Sequence, residues 1–252
     1  MKKFIIAFVL TIFAALSCFA FTACGVKAES IEFNETSVTL ESNASQGLKC
    51  TVQPENARVK ISISDSTVVS YEKGVLTALT AGTAVVKVYS PDDEGIYAEC
   101  NVTVNTPKNY VSYKNPDCKF VVPSSWSRFT VQGAEVAFRN AANSSNINLV
   151  SESKNNSYFT ASARKFKNTI TEAYEQSGYS VQFTDCKVDK SKYLGYDRVH
   201  IVYNYSLSGK DIHQEQMILT SGEKTYILTL TYDHTPVASQ VETIFSEFVG
   251  LK

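Results

Sequence analysis

Three histidines, His200, His213 and His234, are the side chains of this chain best suited to move a proton near neutral pH. His200 falls mid-strand between Val199 and Ile201, so alternation turns it to the face opposite those two. His213 stands near the start of the next strand. A hairpin turning near Gly209 sets it opposite residues 204–205, so it does not pair with His200. His234 precedes the last helix. None of the three stands at metal spacing such as HExxH, and solvated or hydrogen-bonded histidines are expected. No GxSxG, Walker or dinucleotide fingerprint occurs, and no serine stands beside a base. Asp197 next to Arg198 reads as a surface pair. The expected set of catalytic residues, metal ligands and cofactors is therefore empty. Asp92-Asp93-Glu94 offers hard oxygens that could hold Ca²⁺, but three adjacent carboxylates read first as a solvated turn.

Cysteines and tyrosines are the other candidates. Cys50, Cys100, Cys118 and Cys186 form an even set, two in each half of the chain. Alternation places Cys50 and Cys100 on the apolar faces of their strands. Two readings stay open. One is a bridge between sheets, worth about 4 kcal/mol in the chain-entropy model. The other is a pair of buried thiols acting as small hydrophobes. Cys118 with Cys186 is the second candidate pair. No CxxC spacing occurs, which argues against a zinc or redox site. Tyr193, Tyr196, Tyr203, Tyr205, Tyr226 and Tyr232 crowd the final strands, with Tyr203 and Tyr205 on one face beside Val199 and Ile201. They either pack under helices or form an aromatic groove for sugars or apolar ligands. In the groove reading Tyr203, Tyr205 and Tyr226 are the ligand contacts.

The elements that must position these residues divide the chain in two. At 252 residues it is long enough for two ordinary domains. Residues 25–107 carry 11 Asp+Glu against 6 Lys+Arg, and residues 108–252 carry 14 against 16 without a basic run. That balance argues against a nucleic-acid partner. Short strands at sandwich spacing are expected over 30–33, 37–41, 46–52, 59–64, 68–71, 74–79, 84–89 and 98–104. The stretch GVLTALTAGTAVVKV, residues 74–88, reads as strand, tight Ala81-Gly82-Thr83 turn and strand, with Gly82 supplying a positive φ. After a polar linker, residues 106–109, the pattern changes. Strands are expected over 120–123, 135–139 and 146–151, and a helix over 163–176 stopped by Gly178. Four further strands are expected over 180–185, 196–205, 211–220 and 225–232, and the last three, separated by turns at 208–210 and 221–223, make an antiparallel meander. A closing helix begins at an N-cap Thr235 with Pro236 behind it. It buries Val237, Val241, Ile244, Phe245 and Phe248 and ends at Gly250.

Residues 1–23 read as a targeting segment. Lys2 and Lys3 form a positive n-region, and residues 4–20 are an apolar stretch too short and wrongly flanked for a membrane span. The following Phe21-Thr22-Ala23-Cys24-Gly25 resembles the bacterial lipobox, in which a cysteine after small residues is lipidated and becomes N-terminal. Ala23, Cys24 and Gly25 fit it, while Phe21 stands where Leu is usual. The resemblance implies lipidation of Cys24 and anchoring at the outer face of a membrane, at about 0.8 kcal/mol per buried methylene. Simple secretion with cleavage after Ala28 is the alternative, and a lipobox on Cys18 a third.

The order LKCTVQPENA, ISISDSTVVSYEKGVLTALTAGTAVVKV and AECNVTV resembles the bacterial immunoglobulin-like group 2 domain. Pro54, Ala57, Ser66, Val69, Gly74, Ala78, Ala81, Gly82, Thr83, Ala84, Val102 and Val104 fill the places of its motif. Ile61 or Ile63 stands where that family usually has tryptophan. The resemblance covers nearly all of residues 27–105 and implies a surface module, either a spacer or an adhesin. Residues 110–252 resemble PsbP-like and DcrB-like α/β proteins, through Phe120, Pro123, Trp126, Gly195, Tyr226, Leu228, Ile244, Phe245 and Phe248. Members include exported lipoproteins and accessory subunits, and few are catalysts.

The expected fold is an Ig-like β-sandwich over residues 24–105, then an α+β domain over 110–252 with a mostly antiparallel sheet and two helices. The expected function is that of a surface-anchored, non-enzymatic lipoprotein, whose Ig-like module presents the α+β domain to a cell-envelope protein or glycan. In the alternative the Ig-like module itself is an adhesin binding wall glycan or host protein. Hydrolysis in the second domain is a third reading.

Overall fold

Alternation of apolar and polar residues builds the first nine strands of the chain. The computed structural model describes residues 26–232 and 238–251. The strands are β1 (Ser30–Phe33), β2 (Ser37–Glu41), β3 (Ser45–Gly47), β4 (Cys50–Gln53), β5 (Lys60–Ile63), β6 (Val69–Glu72), β7 (Val75–Ala78), β8 (Gly82–Tyr89) and β9 (Tyr97–Asn105). They pair as a four-stranded sheet β2-β9-β8-β5, a three-stranded sheet β3-β7-β6 and a ribbon β1-β4. Val38 and Leu40, Leu76 and Ala78, Val86 and Val88, and Val102 and Val104 point into one shared core. This is the Ig-like sandwich expected. Of the two isoleucines at the usual tryptophan place, Ile63 packs on the core while Ile61 is 51% exposed.

Two local expectations are corrected. The strand expected over 46–52 is two strands, because Leu48 turns fully inward and its N–H donates to Gly74 O at 2.8 Å. The turn expected at Ala81-Gly82-Thr83 lies earlier, since Gly82 and Thr83 already belong to β8. It joins strands of different sheets, so it is a crossing and not a hairpin. Thr80 anchors it through Oγ1, which donates to Thr67 O at 2.7 Å. Gly82 is needed there for two reasons: its φ is +151°, and an added Cβ would lie 2.9 Å from Val68 Cγ2 and 3.3 Å from Lys119 Nζ. Gly82→Ala is expected to cost about 2 kcal/mol. A denaturant titration would read it as a lower midpoint with an unchanged slope.

The second unit carries β10 (Tyr110–Lys114), β11 (Cys118–Pro123), β12 (Ser127–Phe129), β13 (Val136–Arg139), β14 (Asn146–Ser153), α1 (Ala163–Gln176), β15 (Val181–Tyr193), β16 (Tyr196–Leu207), β17 (Lys210–Ser221), β18 (Lys224–Tyr232), α2 (Ala238–Ser246) and β19 (Val249–Gly250). An antiparallel sheet in the order β12-β13-β14-β18-β17-β16-β15 is its centre, and β10-β11-β19 forms a smaller sheet. The meander forms because Ser208-Gly209, at φ 52° and 81°, closes β16 onto β17 in a two-residue turn that matches strand twist. Helix α1 is capped by Ser162, whose side chain accepts from Lys165 N. Phe166, Ile170 and Tyr174 recur at four-residue spacing and pack on one sheet face. Helix α2 lays Val241, Ile244 and Phe245 on the other face, with β11 beside it.

Strands β10 and β12 were not expected, and α2 ends at Ser246 rather than at Gly250. Phe248 is buried, but in the segment that leads into β19, where Val249 and Gly250 pair with β11. Cys24, Cys18, His234, Thr235, Pro236 and Val237 lie outside the described residues.

The cysteine bridges are not formed: Cys50, Cys100, Cys118 and Cys186 are free thiols. Cys118 packs in the core under α2 and Cys186 in the core under α1, so the sheet stands between them. Cys50 and Cys100 enter one core from β4 and β9, where burial pushes both thiols up and keeps them neutral. Burial pushes Cys118 up to about 12.

The two units meet through buried charge. Glu247, 2% exposed, accepts from Ser42 Oγ at 2.6 Å and from Ala81 N at 2.8 Å. Lys119, 6% exposed, donates from Nζ to Ala81 O at 2.6 Å. One residue of the Ig-like crossing is thus held at both its backbone groups by opposite charges of the α+β unit. Burial lowers the Lys119 ammonium, while Asp65 and Glu247 support its charge.

Candidate functional site

The strand register decides which polar side chains meet. Directly opposite residues of an antiparallel pair share a face. Across β16 and β17, His200 stands opposite Met217, Val202 opposite Glu215, and Asn204 opposite His213. All of these face α2. His200 and His213 are not opposite each other, as the hairpin reading expected. Glu215 nevertheless lies between them and spans the gap. Its Oε2 accepts from His200 Nε2 at 2.7 Å and its Oε1 accepts from His213 Nε2 at 2.9 Å. His213 is held at its second nitrogen too, with Nδ1 2.6 Å from Asn204 Oδ1. Burial alone would raise the Glu215 carboxyl, but the hydrogen bonds and charge of the two imidazoles outweigh it and hold it down at about 2.

His200 and Glu215 close one side of a groove of about 530 Å³ between α2 and the β16–β17 floor, and His213 supports Glu215 from outside it. The volume is that of a small-molecule site. Met217, Val241 and Phe245 give it apolar walls, and Arg198, His200 and Glu215 give it a polar side. His200 meets the Phe245 ring edge-on with centroids 5.2 Å apart. Arg198 faces the same way as His200 because the two are two residues apart on β16. Its guanidinium sits 4.3 Å over the Tyr193 ring, and Nη1 donates to Phe245 O at 3.3 Å, capping a last-turn carbonyl of α2. Its Nε is buried and has no hydrogen-bond partner among the described residues. Burial lowers the Arg198 guanidinium from its ordinary value.

Arg198 and Glu215 were missed by the sequence reading, which took Arg198 as the partner of Asp197. Neighbours on a strand face opposite ways, and Asp197 instead pairs with Lys192 at 3.3 Å, directly across on β15. The tyrosine groove is also corrected. Tyr203 and Tyr205 are buried under α1, where Tyr205 Oη lies 3.1 Å from Tyr174 Oη. Tyr226 is buried on the opposite face, and its hydroxyl donates to Asp117 Oδ2 at 2.6 Å. The three line no common surface. Of the acidic turn, Asp92 pairs with Arg58 at 2.7 Å and Asp93 Oδ1 accepts from Gly95 N at 2.9 Å. Among the described residues no group of three or more His, Cys, Asp or Glu is placed to hold a metal ion. Among the same residues no helix is long and apolar enough to cross a membrane.

Residues 27–99 match the family model of the bacterial Ig-like domain (group 2). No curated protein matches the chain. Solved structures similar to it include the cyanobacterial PsbP (CyanoP) of Synechocystis sp. PCC 6803, at 14% identity and a TM-score of 0.47, over 57% of this chain and 93% of that one. A protein of Bacteroides thetaiotaomicron is similar at 15% identity and a TM-score of 0.40, over 57% of this chain and 49% of that one.

Proposed function

We propose that this chain is an exported, lipid-anchored binding protein without catalytic work of its own. In this reading the Ig-like unit holds the α+β unit away from the membrane, and the groove under α2 receives the ligand or partner. The observation that carries it is the groove itself: apolar walls, and a polar side whose charged groups are fixed by strand register and hydrogen bonds. Glu215 has each carboxylate oxygen engaged by an imidazole, which suits a rigid wall better than a proton shuttle. Bacterial Ig-like domains of this group are typically extracellular or surface-associated, in keeping with export. Anchoring rests on Ala23-Cys24-Gly25 behind the apolar leader. Metabolic labelling with a fatty acid should mark the wild-type protein and leave Cys24→Ser unmarked. Label retained by Cys24→Ser would remove the anchor at this residue.

Sedimentation with intact cells and purified wall tests which unit binds. Each unit has its own buried core, so residues 26–105 and 106–251 are suited to separate expression. The full chain and 106–251 are expected to sediment, and 26–105 to stay in solution. Sedimentation of 26–105 alone would establish the adhesin reading instead.

A further inference from the structure

Arg198 is the one feature of the groove that its structural duties leave incomplete. Its hydrogen bond to Phe245 O uses Nη1. Among the described residues no carboxylate lies within ion-pair distance of it, and none offers an acceptor to its buried Nε–H. A buried donor without a partner is costly, and an arginine edge of this kind fits the two oxygens of a carboxylate. The acid nearest the groove, Glu215, has both carboxylate oxygens turned to the imidazoles of His200 and His213 and not to Arg198. Glu242 stands exposed at the rim. Beyond the guanidinium the groove is walled by Met217, Val241 and Phe245, which offer nothing to a polar ligand and much to an alkyl chain.

We infer that the groove takes an amphipathic monocarboxylate, with its head on the Arg198 guanidinium and its tail along Met217, Val241 and Phe245. This rests on the groove being a binding site, as proposed above. A short free anion would leave the apolar walls uncovered, and a neutral alkyl ligand would leave Arg198 as it is.

The chain has two methionines, Met1 and Met217, so a methyl-labelled Met217 is a single reporter inside the groove. Decanoate, decanol and acetate would each be titrated into the full chain while its methyl resonance is followed. Decanoate is expected to shift it, with decanol at least about tenfold weaker and acetate without effect at the same concentration. R198Q should lose about tenfold or more for decanoate and leave decanol unchanged. Decanol binding as tightly as decanoate overturns the carboxylate while the groove stands. Acetate binding as tightly as decanoate overturns the tail. No response to any probe overturns the inference, while the groove reading stands or falls with the sedimentation of residues 106–251. The three probes on the unaltered chain decide the matter even if R198Q does not fold.

Discussion

Glu247→Ala is expected to lower the unfolding temperature of the whole chain and to split its calorimetric transition in two. Glu247 holds Ser42 Oγ and Ala81 N from a position that is 2% exposed. Without it the Ala81 N–H loses its acceptor, and Lys119 keeps its place on Ala81 O with less support for its buried charge. Loss of a buried charged partner of this kind costs about 2–4 kcal/mol. The loss falls on the junction, so the two units should melt apart. Combining E247L with K119M removes both charges and should recover part of the loss, since uncharged side chains leave no buried ion behind. An unchanged single transition in E247A would show that the junction contributes nothing to coupling.

Glu215→Gln is expected to remove the acid sensitivity of the α2 face. The folded carboxyl is held at about 2 against an ordinary 4.5. A depressed folded value means that the carboxylate adds stability above the unfolded value, and that this is lost as pH falls from 4.5 towards 2. The size of the loss is about 3 kcal/mol. The wild type should therefore be more stable than E215Q near neutral pH, and the gap should close across that acid window. Glu215→Ala, which leaves two part-buried imidazoles without their acceptor, should cost about 3 kcal/mol near neutral pH. Parallel stability curves for wild type and E215Q across the window would contradict the assigned role of the carboxylate.

Much of this architecture can be read from the residues, and the failures have physical causes. Strands β1 and β2 and helix α1 fall where period places them, because Ile31, Val38 and Leu40, and Phe166 with Ile170 before the Gly178 stop, each carry a complete local signal. Strands β10 and β19 carry none. β10 buries little of its surface, and β19 is two residues long and exists through its pairing with β11. The junction charges are equally silent in sequence, since Lys119 and Glu247 look like solvated residues until Ala81 arrives from the other unit. The site was half legible. Turn position correctly set His213 opposite Asn204. Alternation also marks Arg198 with His200, and His213 with Glu215, as polar pairs two residues apart on the face that Met217 and Leu219 share. That signal was available and outweighed by the adjacent Asp197. The tyrosines misled because Tyr203 and Tyr226 share a sheet but not a face. The cysteines misled because an even number and inward alternation are equally met by buried thiols.

Binding is expected at the groove under α2 and not on the Ig-like surface. Two exposed positions separate these surfaces without touching a core: Ala238 at the groove and Ile61 on the edge strand β5. Ala238→Trp and Ile61→Glu, each in the full chain, would be compared with wild type in sedimentation with cells and wall. A238W is expected to stay in solution while I61E sediments like wild type. A238W that sediments while I61E does not would contradict it and place the binding on the Ig-like unit.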